Sequence, residues 1–157
     1  MLDDVRDIVL LIDDDFSVRK MHAKVLSRAG FTIEAAAGGA VALGLLERGL
    51  RVGAVVTDLH MPGIDGLAFM RALRKIDLDV PVIVVTGYPS LESAVRVIEY
   101  GGFRYLTKPA PASELVGAVR SAVSMHKLAM LKRRALELYE TDRWHFGDPV
   151  PLEANFE

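Results

Sequence analysis

Gly53-Ala54-Val55-Val56-Thr57-Asp58-Leu59-His60-Met61-Pro62-Gly63-Ile64-Asp65-Gly66 is the stretch whose reading decides the fold. Its first half is short, apolar and β-branched, and turn residues bound it, so it reads as a buried strand. Such a strand delivers Asp58 to the carboxyl edge of a sheet, where open α/β folds bind ligands. A carboxylate at a buried edge is costly unless it is paired or bound to a metal. The chain offers it partners: Asp13 and Asp14 after one apolar run, Thr86 after another, Lys108 after a third.

Working outward from Asp58, apolar runs and helical spacings alternate. Toward the N-terminus, Ile8 to Ile12 is continuously apolar and stops at Asp13-Asp14-Asp15, as a central parallel strand does. Phe16 to Ala29 carries Val18, Met21, Val25 and Leu26 at helical spacing and stops at Gly30. Phe31 to Ala35 reads as a second strand, and Gly38 to Arg48 as a helix with Val41, Leu45 and Leu46 on one face. On the other side of Asp58, Asp65 can cap a helix to about Ile76, marked by Leu67, Met70, Leu73 and Arg74. Pro81 to Val85 is a buried strand that ends at Thr86-Gly87. Ser90 can cap a helix bearing Leu91, Val95 and Ile98. Phe103 to Leu106 reads as a shorter, edge-like strand before Lys108-Pro109. Ser113 and Glu114 then open a long helix.

Strand and helix thus alternate five times. That predicts an α/β fold, a doubly wound parallel sheet with helices on both faces. Leu115, Val119, Ala122 and Val123 can pack on the sheet, but the helical pattern runs on to about Glu140. There Leu128, Leu131, Ala135 and Leu138 recur at spacings of three, four and three. This fits a short coiled-coil seam and equally a solvated helical spur. Lys132-Arg133-Arg134 reads as a solvated face. Beyond Trp144 the composition turns irregular, as in a linker toward something longer.

The length, 157 residues, suits one domain with a tail. A formal net charge of −2 gives no general attraction to nucleic acid or anionic lipid. The absence of cysteine rules out disulfides, a thiol nucleophile and thiolate metal sites. The start, Met1 to Asp7, is acidic and lacks the cationic opening of a signal peptide. No apolar run approaches the roughly 20 residues of a membrane span. An intracellular, soluble domain is expected, with no membrane partner.

Three carboxylates converging at one edge repel each other, and a hard divalent cation resolves this. Mg²⁺ accepts one or two carboxylates, keeps several waters and takes phosphate oxygens. Lys108 adds a compact positive charge and Thr86 a short hydroxyl donor. The set suits in-line phosphoryl transfer with an aspartate as nucleophile.

Taken together, these residues resemble the receiver domain of two-component response regulators, over about Ile8 to Met125. The likeness rests on Leu11-Ile12-Asp13-Asp14-Asp15, Val55-Val56-Thr57-Asp58-Leu59-His60-Met61-Pro62, Val84-Val85-Thr86-Gly87 and Tyr105-Leu106-Thr107-Lys108-Pro109, in that order and each at a strand end. The resemblance implies a flavodoxin-like (βα)5 fold with strand order 2-1-3-4-5. It implies that Asp58 accepts a phosphoryl group from a histidine kinase or phosphotransfer protein. Asp13, Asp14, Asp58 and the backbone carbonyl of His60 would hold Mg²⁺. Lys108 would pair with phosphoryl oxygens, Thr86 would move in to bond them, and Tyr105 would swing in behind. The Lys108-Pro109 bond would be cis. His60 and Tyr88 occupy the positions that tune phosphoryl lifetime in the family, and both are bulky.

The same resemblance divides the chain into a receiver domain, 1–125, and a helical extension and linker, 126–157, leading to an output domain. The face built from the Leu91–Glu99 helix, Tyr105 and the last helix would form a phosphorylation-sensitive homodimer. No helix-turn-helix follows, so nucleic-acid binding is not expected of this segment. Pro151 to Glu157 resembles the lead-in to cyclic-di-GMP phosphodiesterase domains of the EAL type. A cytoplasmic location is implied. Three other readings share parts of the pattern. A phosphatase of the haloacid dehalogenase type wants a second aspartate where His60 stands. A flavodoxin-like cofactor binder would meet a repulsive Asp13-Asp14-Asp15 at its phosphate loop. A pseudo-receiver acting only as an interaction module would not need the intact acid, threonine and lysine set. His22, His126 and His145 receive no role.

Overall fold

The structure, a computed structural model, describes residues 7–146, with side chains as far as 141. The elements are β1 (Ile8–Ile12), α1 (Phe16–Arg28), β2 (Thr32–Ala36), α2 (Gly39–Glu47), β3 (Ala54–Thr57), α3 (Gly66–Ile76), β4 (Val82–Thr86), α4 (Leu91–Glu99), β5 (Gly102–Thr107) and α5 (Ala112–Phe146). All four strand pairings are parallel, and the order across the sheet is β2-β1-β3-β4-β5. This is the flavodoxin-like, doubly wound arrangement.

Successive strand residues point to opposite faces, so each central strand feeds two cores. Leu10, Ile12, Val55, Val82 and Val84 pack with Ala42 and Leu46 of α2, Phe69, Met70 and Leu73 of α3, and Val97 of α4. Val9, Leu11, Ala54, Val56, Ile83 and Val85 pack with Leu26 of α1 and with Leu115, Val119, Ala122 and Val123 of α5. Burial on both faces is why β1, β3 and β4 are almost unbroken runs of aliphatic residues.

Three of the helix starts are fixed by side chains. Asp15 accepts from the Val18 N–H, Asp65 from the Ala68 N–H and Ser90 from the Ser93 N–H. Each satisfies a donor that the first turn leaves without a helical partner. Strand β2 lies one residue later than the sequence pattern indicates, at Thr32–Ala36. In α2 the buried residues are Gly39, Ala42 and Leu46, while Val41 is exposed. Met21 of α1 is exposed too, and His22 beside it is buried. Helix α5 continues past Glu140, through Trp144, to Phe146. The expected linker from Gly147, its EAL-like Pro151–Glu157 segment and the acidic start at Met1–Arg6 lie outside the described residues.

The chain divides into two compact units, one up to Lys127 and one from Leu128. In the second, Leu128, Leu131 and Leu138 are exposed, as is Ala135. No helix among the described residues is long and apolar enough to cross a membrane.

Candidate functional site

β1 and β3 are neighbours, and their ends are level: Ile12 pairs with Thr57, and the Asp58 N–H donates to the Ile12 carbonyl at 3.1 Å. This register sets Asp13, Asp14 and Asp58 side by side. One carboxylate oxygen from each lies within 4.8 Å of the others. Asp13 and Asp58 are buried, at 2% and 8% exposure, and Asp14 is open to solvent.

Lys108 arrives from the end of β5. Its backbone N–H donates to the Thr86 carbonyl at 2.8 Å, continuing the β4–β5 ladder. Its ammonium donates to Asp13 Oδ2 and to Asp58 Oδ2, at 2.8 Å each. The peptide bond that follows, Lys108–Pro109, is cis. Burial alone would lower the Lys108 pKa, but the hydrogen bonds and charges of Asp13 and Asp58 outweigh it and raise the pKa above 10.5. The site therefore holds a firmly protonated cation between two carboxylates.

The second oxygens are spoken for differently. Asp13 Oδ1 accepts from the Asp15 N–H at 3.0 Å, and Asp58 Oδ1 accepts from the His60 N–H at 3.3 Å. Arg19 Nη1 donates to the Asp13 carbonyl at 2.7 Å, and the Thr57 hydroxyl to the Asp58 carbonyl at 2.9 Å. Gly66 explains how the loop after β3 closes so tightly. A Cβ there would collide with the Asp58 carbonyl, so only glycine lets α3 begin this close to the site.

Around this centre stand Thr86, His60, Tyr88 and Tyr105. Thr86 is fully buried, and its Oγ1 accepts from the Tyr88 N–H at 3.1 Å. The exposed rings of His60 and Tyr88 meet edge to face, 5.5 Å apart at 87°. Tyr105, half-buried on the edge strand, places its hydroxyl at the start of α4.

Sequence reasoning singled out every one of these residues but missed their supports. His22 is buried on α1, and its pKa is lowered by burial and by the Lys108 charge, against the opposing pull of Asp13 and Asp58. Arg19 and Ser93 also went unmarked. Arg19 could not be found by pattern, because a side chain reaching a carbonyl six residues back leaves no periodic trace. Ser93 could have been, since Ser90-x-x-Ser93 is a cap spacing.

The donor set of hard oxygens suits a divalent cation such as those that prefer carboxylates and water. With Lys108 at its rim the pocket can also hold phosphate-like oxygens. The second aspartate that a dehalogenase-type phosphatase needs is absent at His60.

Comparison with known proteins agrees with the geometry. Residues 9–120 match the family described as "Response regulator receiver domain". The C4-dicarboxylate transport transcriptional regulatory protein DctD of Rhizobium meliloti is 39% identical over 125 residues, which is 80% of this chain and 27% of DctD. A response regulator receiver domain protein from Clostridium thermocellum superposes with a TM-score of 0.74 at 28% identity, covering 78% of this chain and 98% of that one. A chain described as adenylate cyclase from Rhodopirellula baltica gives 0.78 at 26% identity, over 83% and 97%. This chain spans about a quarter of the length of DctD. The shared fold, the matched region and the acid cluster lead to one conclusion: the chain belongs to the response regulator receiver domain family, the phosphoryl-accepting signal receivers.

Proposed function

We propose that Asp58 is the phosphoacceptor and that Mg²⁺ is held by Asp13, Asp14, Asp58 and the His60 backbone carbonyl. The observation that carries this is the Lys108 ammonium, 2.8 Å from both Asp13 and Asp58, at the rim of a three-carboxylate cluster. Mg²⁺ would offset the repulsion within that cluster and take phosphoryl oxygens as ligands. The Asp58 carboxylate attacks phosphorus in line, and the phosphorus–nitrogen bond of a phosphohistidine on the kinase or phosphotransfer protein breaks. The bonding pair leaves with the imidazole nitrogen, and a mixed anhydride forms on Asp58. Lys108 follows the charge from the carboxylate to the phosphoryl oxygens. Thr86 then turns its hydroxyl toward those oxygens, and Tyr105 moves with it. Self-catalysed phosphorylation and dephosphorylation are the only chemistry proposed.

We assign residues 1–125 to the receiver and 126–157 to a helical extension that leads to an output domain. The division of the chain at Leu128 supports this. Relatives described as a transcriptional regulator and as an adenylate cyclase support an output domain without fixing its kind. The exposed Leu91, Val95 and Ile98 of α4 support a homodimer through the α4–β5–α5 face. The lack of a membrane-crossing helix among the described residues is consistent with a cytoplasmic setting.

Mass spectrometry after incubation with acetyl phosphate and Mg²⁺ tests the centre of this reading. The wild-type chain is expected to gain one phosphoryl group, and Asp58→Asn none. Labelling of Asp58→Asn, or turnover of acetyl phosphate with no modified chain at any time, would overturn it.

A further inference from the structure

The Tyr105 hydroxyl sits inside the N-cap of α4. It accepts from the Ser90 N–H at 3.2 Å and lies 2.7 Å from Ser93 Oγ. Ser93 Oγ also meets Ser90 Oγ at 2.9 Å and donates to the Ser90 carbonyl at 3.1 Å. Ser90 Oγ in turn accepts from the Ser93 N–H at 3.1 Å. Every proton can be used once in this set. Tyr105 and Ser90 each donate a hydroxyl proton to Ser93 Oγ, and Ser93 donates its own to the Ser90 carbonyl. Ser93 Oγ is thus the hub, while the cap itself uses only the Ser93 backbone.

The loop between Thr86 and α4 is fastened at two points. Its Tyr88 N–H is held by Thr86 Oγ1, and its Ser90 N–H by Tyr105. Thr86 Oγ1 accepts the Tyr88 bond with a lone pair and keeps its own proton to donate. Turning the Thr86 side chain toward a phosphoryl group on Asp58 would move the oxygen to which the Tyr88 N–H is tied, and the Ser90–Tyr105–Ser93 cluster would resist the loop's following it.

We infer that Ser93 is a positioning residue that sets the cost of the Thr86–Tyr105 rearrangement by holding the Tyr105 hydroxyl against the first turn of α4. The inference rests on the Asp58 phosphorylation reading. Ser93→Ala removes the hub and leaves the helix cap, so the fold is kept. Removing one neutral hydrogen bond changes an equilibrium by about fivefold. Ser93→Ala should therefore tighten binding of beryllium fluoride, a phosphoryl mimic, in the presence of Mg²⁺ by about fivefold. Ser93→Thr should restore the wild-type value. In a Tyr105→Phe background Ser93→Ala should add nothing, because the partner hydroxyl is already gone. Without the mimic, hydrogen exchange at the Ser90 amide should quicken in Ser93→Ala.

Wild-type uptake of the mimic with unchanged affinity in Ser93→Ala would overturn the inference alone. So would an undiminished effect of Ser93→Ala in the Tyr105→Phe chain, or unchanged Ser90 exchange. A wild-type chain that takes up no beryllium fluoride would overturn the Asp58 reading and this inference with it.

Discussion

Lys108 serves two carboxylates with one ammonium, and its titration follows from that sharing. Its folded pKa is raised above 10.5 because pairing with Asp13 and Asp58 outweighs burial. A raised folded pKa means stability that is fully present below 10.5 and lost as pH climbs through the folded value. The difference in unfolding free energy between wild type and Lys108→Met should therefore hold steady up to about pH 10.5 and narrow above it. Urea titrations across the alkaline range check this; a gap that stays constant through the lysine titration would contradict it. His60 and Tyr88 carry a second prediction at this scale. Their edge-to-face contact is worth about 1 kcal/mol, and we propose that the pair shields an acyl phosphate on Asp58 from water. Alanine at either position should speed dephosphorylation about fivefold. Timed loss of the phosphorylated mass decides the matter, and no acceleration from either change would refute the shielding role. Asp13, Asp14, Asp58, Thr86 and Lys108 were legible because each follows an apolar run, where a polar residue stands out. His22 was not, because a buried imidazole beside a charged cluster looks like any other helical histidine until its neighbours are known.

Arg74 joins three elements from the end of α3. Its guanidinium donates to the carbonyls of Tyr100 at 3.1 Å and Gly101 at 3.1 Å, after α4, and to that of Val80 at 2.7 Å, before β4. Longer bonds reach Asp77 and Leu78, both at 3.4 Å. Arg74→Leu keeps much of the volume and leaves part-buried carbonyls with their charged donor removed. It should cost about 3 kcal/mol of stability, read from urea unfolding, while Mg²⁺-dependent labelling of Asp58 persists in the folded fraction. A cost below about 1 kcal/mol would show that water replaces the guanidinium readily. The sequence marked Arg74 only as a turn of a helix, because hydrogen bonds to main chain 26 residues away follow no pattern. Strands were legible for the opposite reason. Packing on both faces writes them as apolar runs, so β1 was placed at its observed bounds. The face of α2 was hidden, since GAVALGLLE is apolar nearly all round and its composition favours no side.

At the scale of the whole molecule, two compact units make different demands on α5. Before Lys127 the helix buries Leu115, Val119, Ala122 and Val123 in the sheet core. From Leu128 on, Leu128, Leu131 and Leu138 are exposed and no pattern within the chain says what meets them. Alternation of strand and helix made the first unit legible, because every element there answers to one core. The short seam stayed ambiguous, because an apolar stripe of so few turns falls short of the heptads that set a coiled coil apart from a solvated helix with some apolar residues. A response regulator needs two states that differ in affinity for a partner. In the proposed dimer the α4 face, with Leu91 at 83% and Ile98 at 73% exposure, would be one such surface, and a seam engaged by a second copy would add to it. The full chain with Mg²⁺ and beryllium fluoride should therefore sediment more as a dimer than without them. A chain ended after Lys127 should still take a phosphoryl group on Asp58, since all the site residues precede that point. Its dimer should be weaker by about tenfold or more, the loss expected when one of two linked contacts is removed. Equal sedimentation of the full chain with and without the mimic would remove the dimer. Failure of the shortened chain to fold or to be labelled would remove the boundary at Lys127.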